Sequence, residues 1–142
     1  MLRYAPMTTV DHELLAENLH LVTERDPDMT ARFYERLFAR CPHTRELFGP
    51  NSKPVREDML TETLISAVDS LDGVPWVECN MDLLGVKHHE YEVTHEMYDW
   101  WTDCVIETLA ELSDSDWSPR LEHLWRDRIG HLCTLMREAA PE

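Results

Sequence analysis

Apolar residues recur along most of this chain at spacings of three and four, the repeat of a helix that buries one face. Val10, Leu14, Leu15, Leu19 and Val22 form such a stripe between Thr9 and Arg25, with Thr9 or Asp11 placed to cap it. Asp26 before Pro27 reads as a cap and first-turn proline opening a second helix to about Arg40, in which Met29, Phe33 and Leu37 recur with Tyr34 and Phe38 beside them. Pro42 opens a short helical turn ending at Phe48, and the residues from Gly49 to Pro54 form a loop. A third long helix carries Leu60, Leu64, Ala67, Val68 and Leu71 and ends near Asp72 and Gly73. Between Pro75 and Tyr91, Val77, Met81, Leu84 and His88 share one face of a modest helix interrupted by Gly85. Thr94 caps a helix striped by Tyr98, Trp101, Val105, Leu109 and Leu112, and a loop from Ser113 to Trp117 follows it. Ser118 and Pro119 then start the last helix, which carries Leu121, Leu124, Trp125, Ile129, Leu132, Leu135 and Met136.

No segment alternates apolar and polar residues with period two, and only 4 glycines are available for tight turns. The pattern predicts an all-α chain of about six to eight helices. Its 142 residues make one domain, spanning 1–142, with enough material to bury a core around a medium-sized ligand.

Charge narrows the partners. With 28 acidic against 13 basic residues the formal charge is −15, which repels phosphate backbones and anionic lipid surfaces, so neither nucleic acid nor a membrane is expected as a partner. Met1 to Val10 lack the apolar run of a signal peptide and no stretch is long and uncharged enough to cross a bilayer, so a cytoplasmic location is expected. Cys41, Cys79, Cys104 and Cys133 show no metal-binding or redox spacing and read as reduced, mostly buried thiols. Motifs for dinucleotides, P-loop phosphates, serine hydrolysis and zinc proteolysis are missing from the sequence.

Among the 8 histidines most sit on charged faces, but His88 follows Leu84 by one turn and projects from an apolar side. A histidine so placed is either a satisfied core residue or a ligand to something held in the core. Its neighbour His89 points about 100° away around the helix.

Phe33, Tyr34, Arg36 and Phe38, then Pro42 and Leu47-Phe48, then Lys87-His88 and Tyr98 stand in an order and spacing that resembles the globin domain of bacterial flavohaemoglobins and their single-domain relatives. The similarity runs without gaps from about Pro27 to Phe48 and again from Arg56 to Leu109, and recovers Trp125 in the last helix. It implies a globin fold around haem b, with His88 as the proximal iron ligand, Leu84 under the porphyrin, Val93 touching it, and Tyr98 behind the histidine. Phe48 resembles the phenylalanine wedged against the haem plane, and Leu60 a residue over it. Tyr34 resembles the distal tyrosine whose hydroxyl donates to a polarised diatomic ligand.

Two positions depart from the family. Where flavohaemoglobins carry a distal glutamine the register brings Arg56, or Val55 if the shortened loop slips by one residue. Arg56 is suited to donate to a ligand or to clamp a haem propionate, or else to sit solvated in a first helical turn. The carboxylate that pairs with the proximal tyrosine in those proteins aligns with Glu142, at the end of this sequence. Flavin and nicotinamide domains do not follow, so reduction is expected to come from a separate reductase. The expected function is reversible binding of oxygen or another diatomic gas. The alternatives are nitric oxide dioxygenation with that external reductase, and a haemless helical module that binds a sensor or regulatory partner.

Overall fold

The computed structural model describes residues 8–48, 53–69 and 75–140. Within them run α1 (Thr9–Arg25), α2 (Met29–Arg40), α3 (Thr44–Phe48), α4 (Lys53–Asp69), α5 (Pro75–Glu90), α6 (His95–Ser113) and α7 (Pro119–Ala139), with one 3₁₀ turn, Asp114–Asp116, between the last two. No strand occurs among the described residues. None of their helices is long and apolar enough to cross a membrane.

The helix boundaries show how local polar groups satisfy the free N–H groups of a first turn. Ser118 accepts from the backbone of Leu121 and Pro119 stands at the first helical position, as the sequence predicts. Thr94 is the N-cap of α6, and its own N–H donates to the Met97 sulfur at 3.5 Å. At α1 the cap is Thr8 rather than Thr9 or Asp11, with the Thr8 hydroxyl accepting from the Asp11 N–H. The second helix begins at Met29, later than the Asp26-Pro27 pair suggests, because the Asp26 carboxylate accepts from the Asp28 N–H and from Arg32 and so closes a separate turn. The segment expected to be modest, α5, runs for 16 residues, and the loop expected after Ser113 is the 3₁₀ turn. The expected end of α4 near Asp72 and Gly73 lies outside the described residues.

Helix α7 is the central support. It packs most extensively against α5 and also against α6, α4 and α1, while α2 lies across α6 and α4. Leu15, Phe33, Leu64, Leu109, Trp125 and Leu132 are among the side chains shielded from water where these helices meet. One buried polar chain crosses this core: the Trp125 indole donates to Asn18 at 2.9 Å, and Asn18 donates to the Ser113 hydroxyl at 2.9 Å. Each of these bonds pairs a buried donor with a buried acceptor, so α1, α6 and α7 are tied by satisfied polar groups. Arg25 closes the end of α6 by donating to the carbonyls of Leu112 and Ser113. Cys41, Cys104 and Cys133 are buried free thiols, and burial pushes Cys104 up to about 11, which keeps it protonated and unreactive. The side chain of Cys79 lies outside the described residues.

Among the described residues α4 and α5 make no extensive contact with each other; each leans on α7 instead. The approach of α5 to α7 is at backbone distance at Gly85. A Cβ there would stand 2.8 Å from the Met136 Cα and 3.0 Å from the Ala139 Cβ, and closer still to the Met136 carbonyl oxygen. Backbone atoms cannot swing aside, so Gly85→Ala forces the helices apart even though alanine favours helix by about 1 kcal/mol. We expect a net loss of about 1–2 kcal/mol, seen as a lower urea midpoint at unchanged slope. At Gly130 no described residue comes within 4 Å of the added atom, so Gly130→Ala is expected to gain up to about 1 kcal/mol in the same assay.

Candidate functional site

His88 lies two residues before the end of α5, half-buried, with its Nδ1 at 2.6 Å from the carbonyl oxygen of Leu84. Since a carbonyl only accepts, Nδ1 carries the hydrogen, and in the neutral ring the lone pair is then on Nε2. The imidazole is thereby oriented and its second nitrogen made available as a ligand. His89, the next residue, is exposed on another face.

The chain turns sharply just beyond. The Val93 N–H donates to the His88 carbonyl at 2.9 Å and the Glu92 N–H to the His89 carbonyl at 3.0 Å, a helix ending that requires a left-handed residue between them. Glu92 fills that position at φ 67°, where glycine is usual. This turn ties the backbone of Val93, which packs partly buried against the core, directly to that of His88.

Tyr98, on the first turns of α6, is buried with its ring 6.2 Å from that of His88, centroid to centroid. Burial pushes its phenol up to about 12, with Arg137 pulling the other way, so it stays neutral. The Arg137 guanidinium lies 5.5 Å from the centre of the Tyr98 ring. It donates to the His95 carbonyl at 2.8 Å and to the Asp99 carboxylate at 2.6 Å. Glu142, aligned with the family's proximal carboxylate, lies outside the described residues.

On the opposite side of the fold, α2 presents Tyr34 and Phe38 to α4. Both are buried, their ring centroids 5.8 Å apart. The Tyr34 hydroxyl donates to the main-chain carbonyl of Arg56 at 2.8 Å rather than pointing into open space. Desolvation holds its phenol far above the usual range, against the pull of the Arg56 charge, so it stays a neutral phenol able to donate. Arg56 itself is half-buried with its guanidinium 5.7 Å from the Tyr34 ring centre and 5.9 Å from that of Phe38. Val55 is exposed, so of the two register alternatives Arg56 is the one turned toward Tyr34. Leu60 is buried one turn further along α4. Phe48 ends α3, and its side chain lies outside the described residues.

Apolar side chains also stand exposed on α4 and α5. Val55 is 42% exposed, Met59 39% and Leu84 42%, on the two helices that do not pack against each other. Apolar surface left in water is costly, and a ligand that covers it recovers that cost. A flat apolar ligand with a central metal fits this donor set: one neutral imidazole nitrogen, apolar flanks, and a phenol and a guanidinium on the far side. Among the described residues no cluster of three or more histidine, cysteine or carboxylate ligands could hold a bare metal ion.

Arg137 and His95 are the parts of this arrangement that sequence reasoning missed. Their bonds join positions 42 and 45 residues apart, the second being His95 Nε2 to the Ala140 carbonyl at 3.0 Å, and no local pattern marks such pairs.

Comparison with known proteins bears on the fold and the family. The Globin family model matches residues 31–136. A flavohemoprotein of Vibrio cholerae is 23% identical over 122 residues, which are 84% of this chain but 31% of that protein, so the chain spans about a third of its length. An uncharacterized globin-like protein of Aquifex aeolicus is 24% identical over 99 residues, 70% of each chain. Among solved structures, a Pseudomonas aeruginosa protein described as structurally highly homologous to a human hemoglobin superposes with a TM-score of 0.74 at 18% identity, covering 93% of this chain and 99% of its own. A hexacoordinated heme protein from an anhydrobiotic tardigrade superposes with a TM-score of 0.76 at 17% identity, covering 96% and 97%. With the helix order, the matched span and the shared fold in agreement, this chain belongs to the globin family.

Proposed function

We propose that the chain holds haem b through His88 and reversibly binds oxygen or another diatomic gas on the Tyr34 side. The observation that carries this reading is the orientation of His88, whose Nδ1–H is committed to the Leu84 carbonyl so that Nε2 is left as a ligand. The haem, when bound, supplies an iron centre able to take a gas molecule on its free face. Val93 and Leu84 supply apolar surface on the His88 side and Leu60 on the other, and Arg56 would meet either a propionate or a polar ligand.

Tyr34 acts through competition. Its hydroxyl already has a neutral acceptor in the Arg56 carbonyl, so donation to a diatomic ligand exchanges one hydrogen bond for another. A ligand that gathers negative charge is the stronger acceptor, by about 1–1.5 kcal/mol, and that difference is what Tyr34 contributes. Turnover of nitric oxide would draw on the same pocket and would need electrons from a reductase.

Two measurements test this reading. His88→Ala is expected to lose the ferrous spectrum of the haem-loaded chain and to retain haem poorly, while the exposed His89→Ala keeps both; the reverse pattern would assign the ligand to the wrong histidine. Tyr34→Phe should raise the oxygen dissociation rate by about tenfold with a smaller effect on carbon monoxide, because affinity differences of this size fall mainly in the off-rate. Stopped-flow rates that do not change would leave Tyr34 as a packing residue bonded to Arg56.

A further inference from the structure

The His88 side of the fold is closed by a cation. Arg137, near the end of α7, lies over the face of Tyr98, and Tyr98 in turn lies beside His88. The guanidinium is held at three points: two nitrogens reach the His95 carbonyl, at 2.8 and 3.3 Å, and one reaches Asp99 at 2.6 Å. The His95 ring adds a further tie, its Nε2 meeting the Ala140 carbonyl at 3.0 Å. These bonds join the first turn of α6, directly after the corner that carries Val93, to the last turn of α7.

Charge balance at this spot favours the cation. The Arg137 side chain is 27% exposed and that of Asp99 71%, so the carboxylate is largely screened by water while the guanidinium rests against a buried ring. Of the other groups near Tyr98, Cys133 is held as a neutral thiol by burial. On the imidazole itself, Nδ1–H meets a main-chain carbonyl, a weaker acceptor than a carboxylate, so the partner adds little electron density to the ring. Both features leave the imidazole a modest electron donor.

We propose that Arg137 is a positioning residue of the proximal side: it fixes Tyr98 and the α5–α6 corner against α7, and it keeps a positive charge one aromatic ring away from His88, which biases the iron of a bound haem toward the ferrous state. The inference rests on the haem reading above and deepens it, since a ferrous bias favours gas binding over repeated oxidation. A unit charge roughly 10 Å from a redox centre in partly buried surroundings shifts a one-electron equilibrium by on the order of tenfold.

The test is a spectroelectrochemical titration of the haem-loaded full chain and three variants. Arg137→Gln should lower the midpoint potential by about 59 mV, the tenfold shift expressed for one electron. Arg137→Lys, which keeps the charge and loses the fork, should stay near the wild type, and Asp99→Asn, which removes the screening anion, should move the potential upward. A merely structural tie moves all three variants in one direction or none of them, and either result overturns the proposal. If Arg137→Gln fails to hold haem, Asp99→Asn decides alone, an upward shift supporting the charge effect and an unchanged potential overturning it. A wild-type chain that takes up no haem overturns the haem reading as well, whereas haem uptake that depends on His88 with potentials insensitive to Arg137 overturns this inference only.

Discussion

The backbone contact between α5 and α7 at Gly85 sets the position of everything on the His88 side. Because Met136 meets Gly85 at a distance that admits no Cβ, α5 can lie in one place on α7, and His88, less than one turn further along, inherits that placement. The same helix α7 supports α4, so the two walls of the candidate pocket are held by a common neighbour and not by each other. Val55, Met59 and Leu84 on these two helices stand exposed, and a bound apolar ligand that covers them recovers the cost of that exposure. Ligand binding and stability are therefore coupled: whatever fills the slot also stabilises the folded chain.

The two sides of the slot use different chemistry. Toward α5 the polar groups are committed: the imidazole to Leu84, the backbone of His88 to Val93, and Arg137 to His95 and Asp99. Toward α2 the Tyr34 hydroxyl donates to the neutral Arg56 carbonyl, which a better acceptor can displace. A fixed ligating side and an exchangeable facing side suit reversible binding of a small polar molecule. Away from the site, Arg32, Arg36 and Arg40 of α2, one turn apart, meet Glu107 and Glu111 of α6, which brings opposite charges together at the α2–α6 contact of a chain whose formal charge is −15. These pairs are largely exposed, and their part is to orient the helices more than to stabilise them.

How much was legible in the sequence follows from how local each feature is. The starts of α6 and α7 were readable because a cap acts within three residues, as Ser118 does on Leu121. The start of α2 was misplaced because Asp26 spends its carboxylate on Asp28 and Arg32, a choice fixed by the fold. The helical order and the globin resemblance were carried by Tyr34, His88 and Tyr98, whose spacing survives in sequence. The partner of the Tyr34 hydroxyl was invisible, because it is a main-chain carbonyl and any residue at position 56 would offer one. Arg137 read as an ordinary charged residue of a last helical turn, since its partners lie some forty residues back. The left-handed turn at Glu92 gave no warning either, as it is imposed by bonds to His88 and His89 and not by the residue itself.

The central claim is that this fold presents one neutral imidazole nitrogen to a haem iron and leaves the opposite face open. Titrating the purified chain with haem and recording ferrous, ferric and carbon monoxide spectra tests it most directly. The account predicts saturation at one haem per chain, with a five-coordinate ferrous iron that converts fully to the carbon monoxide form. Failure to saturate, or a ferrous iron already six-coordinate with a second side chain, would contradict it.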